Sequence, residues 1–183
     1  PQYGEAMSGV ILMQPLDNIA TRWKAQAALL TDNLGEKSGS HNEYNVEAAV
    51  SGPVPGVKNL TLASSARAYS SDGYINGYLY PNWVDSRGAD KSGSPEVVPM
   101  TYRDTRMAFG KAIWQVSKPL KLRLGYYAAE TKQGVYDHFF KYNPYGTPRV
   151  TLNDYLGYFK LTHVFSPSTF ADFSLSKYRR GYR

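Results

Sequence analysis

The chain has 183 residues, a net charge of +6, 42% hydrophobic residues and no Cys. That length suits one ordinary domain, and the absence of Cys excludes a disulfide scaffold, a thiol nucleophile and a zinc–thiolate site. The charges are spread along the chain instead of forming one basic block, which argues against a nucleic-acid partner, and no run reaches the about 18 apolar residues of a membrane helix.

Residues 1–20 are mixed in character. Val10-Ile11-Leu12-Met13, stopped by Pro15, reads as one buried strand followed by a linker. From Thr21 onward apolar and polar residues alternate, the signature of half-buried strands. In the first segment Trp23, Ala25, Ala27 and Leu29 share one face, and Arg22, Lys24 and Gln26 the other. The second sets Tyr44, Val46, Ala48 and Val50 against Asn45, Glu47 and Ser51. The third sets Leu60, Leu62, Ala66 and Ala68 against Thr61, Ser65 and Arg67. The fourth, about Thr105–Val116, is ambiguous, because Met107, Phe109 and Ile113 share their face with Lys111. The fifth is clean, with Leu120, Leu122, Leu124 and Tyr126 against Lys121, Arg123 and Gly125. The sixth opposes Tyr155, Phe159, Leu161 and Phe165 to Lys160 and Thr162, and the seventh opposes Phe173 and Leu175 to Asp172, Ser174 and Ser176. A slip of one residue would carry the charges to the apolar side, so each pattern specifies its faces.

The connections alternate between long and short. Thr31–Asn42, about Ser71–Asp104 and about Thr131–Thr151 are long. Gly52–Lys58, Ser117-Lys118-Pro119 and Ser166-Pro167-Ser168 are tight. Transmembrane barrels sort their connections this way, with short turns periplasmic and long loops extracellular. The content of 16 Tyr, 7 Phe and 3 Trp fits the aromatic girdles of such barrels. The expected fold is therefore all-β: an antiparallel meander of about seven strands over residues 21–183, forming part of a large transmembrane β-barrel. A Tyr-rich soluble sandwich that binds carbohydrate is the alternative. Seven strands cannot close around a polar lumen, and an open edge in lipid leaves backbone groups unpaired. The opening Pro1-Gln2-Tyr3-Gly4 has no initiator Met or signal pattern, and Lys177–Arg183 reads as an interrupted strand. We therefore expect these residues to be a piece of a longer chain.

Three stretches carry a family resemblance. Tyr3-Gly4-Glu5-Ala6-Met7-Ser8-Gly9-Val10-Ile11 resembles the end of the plug domain of TonB-dependent outer-membrane receptors, in the large subgroup with a regulatory-like N-terminal extension. Val50-Ser51-Gly52-Pro53-Val54-Pro55-Gly56-Val57-Lys58-Asn59-Leu60-Thr61 resembles their first periplasmic hairpin. The stretch from Tyr158 to Phe170 resembles a later hairpin. The resemblance implies that residues 1–20 end the plug, and that 21–183 form the first strands of a multi-pass barrel in the cell outer membrane. It implies lipid and lipopolysaccharide as surroundings, TonB as a partner through an upstream segment, and substrate uptake without enzymatic chemistry. A structural or partner-binding barrel without transport is the alternative.

Catalytic signals are poor, and no catalytic residue, cofactor or metal ligand is expected. His41, His138 and His163 lie far apart without metal-ligand spacing,. There is no nucleophile elbow and no phosphate loop. Asp85, Asp90 and Glu96 lack the alternate spacing of a calcium loop. The informative residues are aromatics in the long loops: Tyr74, Tyr78, Tyr80 and Trp83 in one, and Tyr136, His138, Phe139, Phe140, Tyr142 and Tyr145 in another. Exposed aromatics offer rigid contact area with polar tips, suited to capturing a small molecule, chelate, glycan or peptide. Equally, aromatics near a barrel rim belong to the interfacial girdle. Arg22, Lys24, Arg67, Lys121, Arg123 and Lys160 give the polar face a basic wall, suited to hydrogen bonding with a plug or to attracting an anionic substrate.

Overall fold

The computed structural model describes residues 19–32, 41–78, 82–84, 90–92, 97–140 and 143–183. The buried strand expected at Val10–Met13 and nearly all of the expected plug end lie outside these residues. Eleven strands follow in order: β1 (Lys24–Thr31), β2 (Tyr44–Pro53), β3 (Leu60–Ser71), β4 (Asn76–Tyr78), β5 (Asn82–Val84), β6 (Asp90–Ser92), β7 (Val97–Pro99), β8 (Arg103–Ser117), β9 (Leu120–Gly134), β10 (Arg149–Ser166) and β11 (Thr169–Tyr182). Seven of them form one antiparallel sheet in the order β1-β2-β3-β8-β9-β10-β11. These are the seven alternating segments of the sequence. The chain between β3 and β8, read from sequence as a plain loop, contains two small ribbons, β4 with β7 and β5 with β6.

Every connection in the sheet joins sequence neighbours, so successive turns fall at alternate ends. The tight turns after β2, β8 and β10 share one end, and the long connections after β1, β3 and β9 share the other. Only antiparallel neighbours can be joined so tightly. The first turn needs left-handed backbone at Gly56 (φ +79°) and Asn59 (φ +58°), conformations that Gly and Asn tolerate best. In the second, the Gln115 side-chain amide donates to the Ser117 carbonyl at 2.8 Å and tethers the corner.

Residues directly opposed across an antiparallel pair point to the same face. The register therefore gathers Ala25, Ala27, Leu29, Tyr44, Val46, Ala48, Val50, Leu62, Ala66, Ala112, Trp114, Leu122, Leu124, Phe159, Leu161, Phe173 and Leu175 on one face. Lys24, Glu47, Arg67, Lys111, Arg123, Lys160 and Asp172 lie on the other. The ambiguity of the fourth segment resolves in favour of Lys111. Met107, Phe109 and Ile113 join it on the polar face, while Ala108, Gly110, Ala112 and Trp114 occupy the apolar one.

Burial is inverted relative to a water-soluble sheet. Apart from Gly52 and Gly110, which lie beneath aromatic rings of the apolar face, the buried residues of the sheet, Asn45, Thr61, Ser71, Thr105, Lys111, Ile113, Ala129 and Thr131, lie on the polar face. Lys111 is 6% exposed, whereas Leu124 is 53% and Phe173 58% exposed. Charged residues are seldom buried and large apolar ones seldom exposed together in water. Residues 19–22 contribute to the enclosure by crossing the polar face, where the Ala20 N–H donates to the Thr61 hydroxyl at 2.8 Å.

Three aromatic rings lie flat over glycines of a neighbouring strand: Trp23 over Gly52, Tyr126 over Gly110 and Tyr158 over Gly125. A Cβ at any of these glycines would overlap the ring. Ring and glycine together tile the sheet surface where Gly alone would leave it thin.

The apolar belt does not run straight across the strands. The row of opposed residues that begins at Ala27 passes through Ala48, Ala66, Ala108, Ala128 and Tyr155 to Arg179. The apolar stretch of β11 is centred instead on Phe173, six residues before Arg179, after six strand-to-strand steps. The belt therefore drifts by about one residue per strand. With about 3.3 Å per residue and about 4.8 Å between strands, this is an inclination of about 35° between the strands and the normal to the belt.

Candidate functional site

The described residues of the long connections meet at two junctions at one end of the sheet. At its first junction the Asp72 N–H donates to the His41 carbonyl at 2.8 Å, and the rings of His41 and Tyr74 meet edge to face at 4.6 Å. The second junction is better packed. Strands β4 and β7 both contact the 3₁₀ turn at Pro144–Gly146. Met100, only 1% exposed, and buried Pro144 close over Gly77. A Cβ at Gly77 would stand 2.7 Å from Pro144 Cβ and 2.8 Å from Met100 Sδ. The Met100 N–H donates to Ile75 O at 2.9 Å, and the Gly134 N–H to Tyr102 O at 2.9 Å.

The aromatics singled out from the sequence divide between this cluster and its surface. Tyr74 (82% exposed) and Phe139 (85% exposed) project outward. Phe139 sits edge to face with Phe140 at 5.3 Å. Asp137 holds this second 3₁₀ turn, His138–Phe140, by accepting from the Phe139 N–H at 2.9 Å. Tyr136 and His138 share a hydrogen bond of 2.9 Å between the hydroxyl and Nδ1. Tyr145 is exposed beside buried Pro144. Tyr78 lies in β4, paired in register with Val97, and Trp83 in β5, paired with Lys91. Tyr80 and Tyr142 lie outside the described residues. The structure thus brings Tyr136, His138, Phe139 and Phe140 together, while Tyr74 meets His41 edge to face.

The polar face carries ordered ion pairs. Arg67 Nε lies 3.1 Å from Glu47 Oε1 and donates to Asn45 Oδ1 at 2.8 Å. Lys160 pairs with Asp172 at 2.8 Å, and Thr162 links Asp172 to Arg123 by hydrogen bonds of 2.6 and 2.9 Å. Nearer the long loops, beyond the apolar belt, Arg180 grips Asp154 with two hydrogen bonds of 2.6 and 3.0 Å. The Arg180 hydrogen bonds, then that from Tyr178, hold the Asp154 carboxyl below the usual carboxylate range. Each acid on this face thus meets a base, and Lys24, Lys111, Lys121 and Arg123 leave the wall basic. Arg22, Lys24 and Lys111 line one hollow where residues 19–22 cross the sheet. Among the described residues no group of three His, Asp or Glu side chains could hold a metal ion.

Sequence reasoning missed Met100, Gly77 and Pro144, which hold the loop cluster together. The chain matches no family model, no curated protein and no solved structure.

Proposed function

We propose that this chain is a section of the wall of a transmembrane β-barrel in an outer membrane. The observation that carries the reading is the inverted sheet: an exposed apolar face and, over its central strands, a more buried, ion-paired polar one. Lipid accepts the first and a water-filled or plugged lumen the second. The inclination of about 35° matches the tilt of barrel strands, so the apolar belt lies level when the strands tilt as a barrel requires. Aromatics stand at both margins of the belt, Trp23, Trp114 and Phe165 toward the short turns and Tyr44, Tyr126 and Tyr155 toward the long loops. A sandwich would cover the apolar face with a second sheet, and among the described residues nothing packs there. The open edges of β1 and β11 would be met by further strands, since lipid leaves no unpaired edge.

Within that class we infer a TonB-dependent receptor. The three stretches of resemblance, the basic inner wall and the aromatic loop cluster support it. Substrate would meet the loop cluster first, with Tyr136, His138, Phe139 and Tyr74 as contact residues. A motor acting through TonB would then move the plug. The experiment compares uptake of ferric chelates, glycans and peptides in cells lacking this protein and in cells lacking TonB. Loss of uptake of the same solute in both supports the receptor. Uptake that needs this protein but not the motor contradicts it and leaves a passive or partner-binding barrel.

A further inference from the structure

We propose that Met100, Gly77 and Pro144 form a clasp that couples two connections, the one between β3 and β8 and the one between β9 and β10, so that ordering either steadies the other. The coupling stands on contacts within the described residues and needs neither the membrane reading nor the receptor reading. Neither side is built to hold alone. Strands β4 and β7 have three residues each, and a two-stranded ribbon by itself is marginal. The other side is two short 3₁₀ turns, His138–Phe140 and Pro144–Gly146, whose hydrogen-bond geometry is poor. Met100 is the most deeply buried hydrophobic side chain among the described residues. It meets Pro144, from the other connection, over Gly77, where no Cβ would fit.

The contacts run unbroken from the clasp to the aromatic turn. Gly146, in the same 3₁₀ turn as Pro144, carries the Phe140 ring: a Cβ there would stand 2.8 Å from Phe140 Cδ1. The Asn143 N–H donates to Phe140 O at 2.8 Å, and the Gly146 N–H to Asn143 O at 2.9 Å. On the other side, the Met100 N–H donates to Ile75 O at 2.9 Å, and the Ile75 N–H to the Thr101 hydroxyl at 3.2 Å. Segments that share their buried contact open together as one cooperative unit. A ligand that orders the turn at His138–Phe140 therefore also orders the β4–β7 ribbon, and the effect is reciprocal.

The test is hydrogen exchange of the purified full-length protein, read by mass spectrometry. Met100→Ala should raise exchange across the clasp, at Gly146 and Thr147, on the order of tenfold or more, as for the loss of one buried side chain. Pro144→Ala should act in the other direction, at the Met100 amide. The middle of β9 should exchange as in wild type in both variants. Met100→Leu, which nearly conserves volume, should stay near wild type. Tyr74→Ala removes an exposed ring of the same connection and should leave Gly146 and Thr147 unchanged. Exchange that rises only in the mutated connection overturns the clasp. So does a rise that reaches the middle of β9, since the connections would then open only with the sheet. Either result leaves the receptor reading untouched.

Discussion

Two regions of this chain obey opposite solvent rules. In the loop cluster Met100 is 1% exposed against Gly77 and Pro144, and the ordinary preference of water for polar surface holds. In the sheet, Lys111 is 6% exposed while Leu124, Phe173 and Leu175 lie open. On the proposed reading, one sequence with one composition serves two media. In the loops Met100 and Pro144 are covered, while Tyr74 and Phe139 stay exposed. In the proposed barrel the apolar face of the sheet would be covered by lipid.

The largest effect that separates the regions is a charge on the belt. Leu124→Arg should cost about 2–4 kcal/mol near the bilayer midplane, measured by denaturant unfolding of the protein in vesicles. In a sheet whose apolar face met water, the same change would be nearly neutral. A smaller loss, about 2 kcal/mol, is expected from Met100→Ala, as for other buried truncations. It should loosen only the loop cluster, so that limited proteolysis cuts between β3 and β8 while the heat-modifiable mobility stays native. Cleavage with loss of that mobility would show that loops and wall fold as one unit.

Gly110→Ala should cost about 1–2 kcal/mol by driving the Tyr126 ring off the sheet. Adding Tyr126→Ala should restore part of the loss in a double-mutant cycle, and strict additivity would show that the ring does not rest on Gly110. The smallest effect concerns acid. The Asp154 carboxyl has its pKa depressed by Arg180, so the clamp contributes at pH values above the ordinary carboxylate range and is lost as pH falls through the lowered value,. Amide exchange at Gly181 and Arg183 should rise there in wild type, and should already be raised at neutral pH in Asp154→Asn.

The sheet was legible in the sequence because strand alternation is local. Leu122 and Arg123 are neighbours in the chain and declare their faces without knowledge of any partner. Tight turns such as Ser117-Lys118-Pro119 announce themselves in the same way. The fourth segment was ambiguous because its apolar face carries Ala108, Gly110 and Ala112, whose bulk comes from Tyr126 on the next strand. Its polar face carries Met107, Phe109 and Ile113, which outrank Ala108, Gly110 and Ala112 in hydrophobicity. The ribbons β4–β7 and β5–β6 were missed because three-residue strands hold too few positions to show a period. The contact of Gly77 with Pro144 joins residues distant in sequence, and no local pattern encodes it. Among the candidate aromatics, the sequence set Tyr74 in a different loop from Tyr136, His138, Phe139 and Phe140, but not its meeting with the His41 ring, which joins two separate connections.

The central claim is that the apolar face meets lipid and the polar face does not. The chain contains no Cys, so single cysteines can be placed from Lys121 to Tyr126 and labelled with a nitroxide in vesicle-reconstituted full-length protein. Collision with dissolved oxygen, which concentrates in lipid, and with a water-soluble nickel chelate then reports the surroundings of each position. The account predicts alternation: oxygen-accessible at Leu122, Leu124 and Tyr126, and lipid-inaccessible at Lys121, Arg123 and Gly125. Nickel accessibility at Leu122, Leu124 and Tyr126 equal to that of exposed loop positions would contradict it.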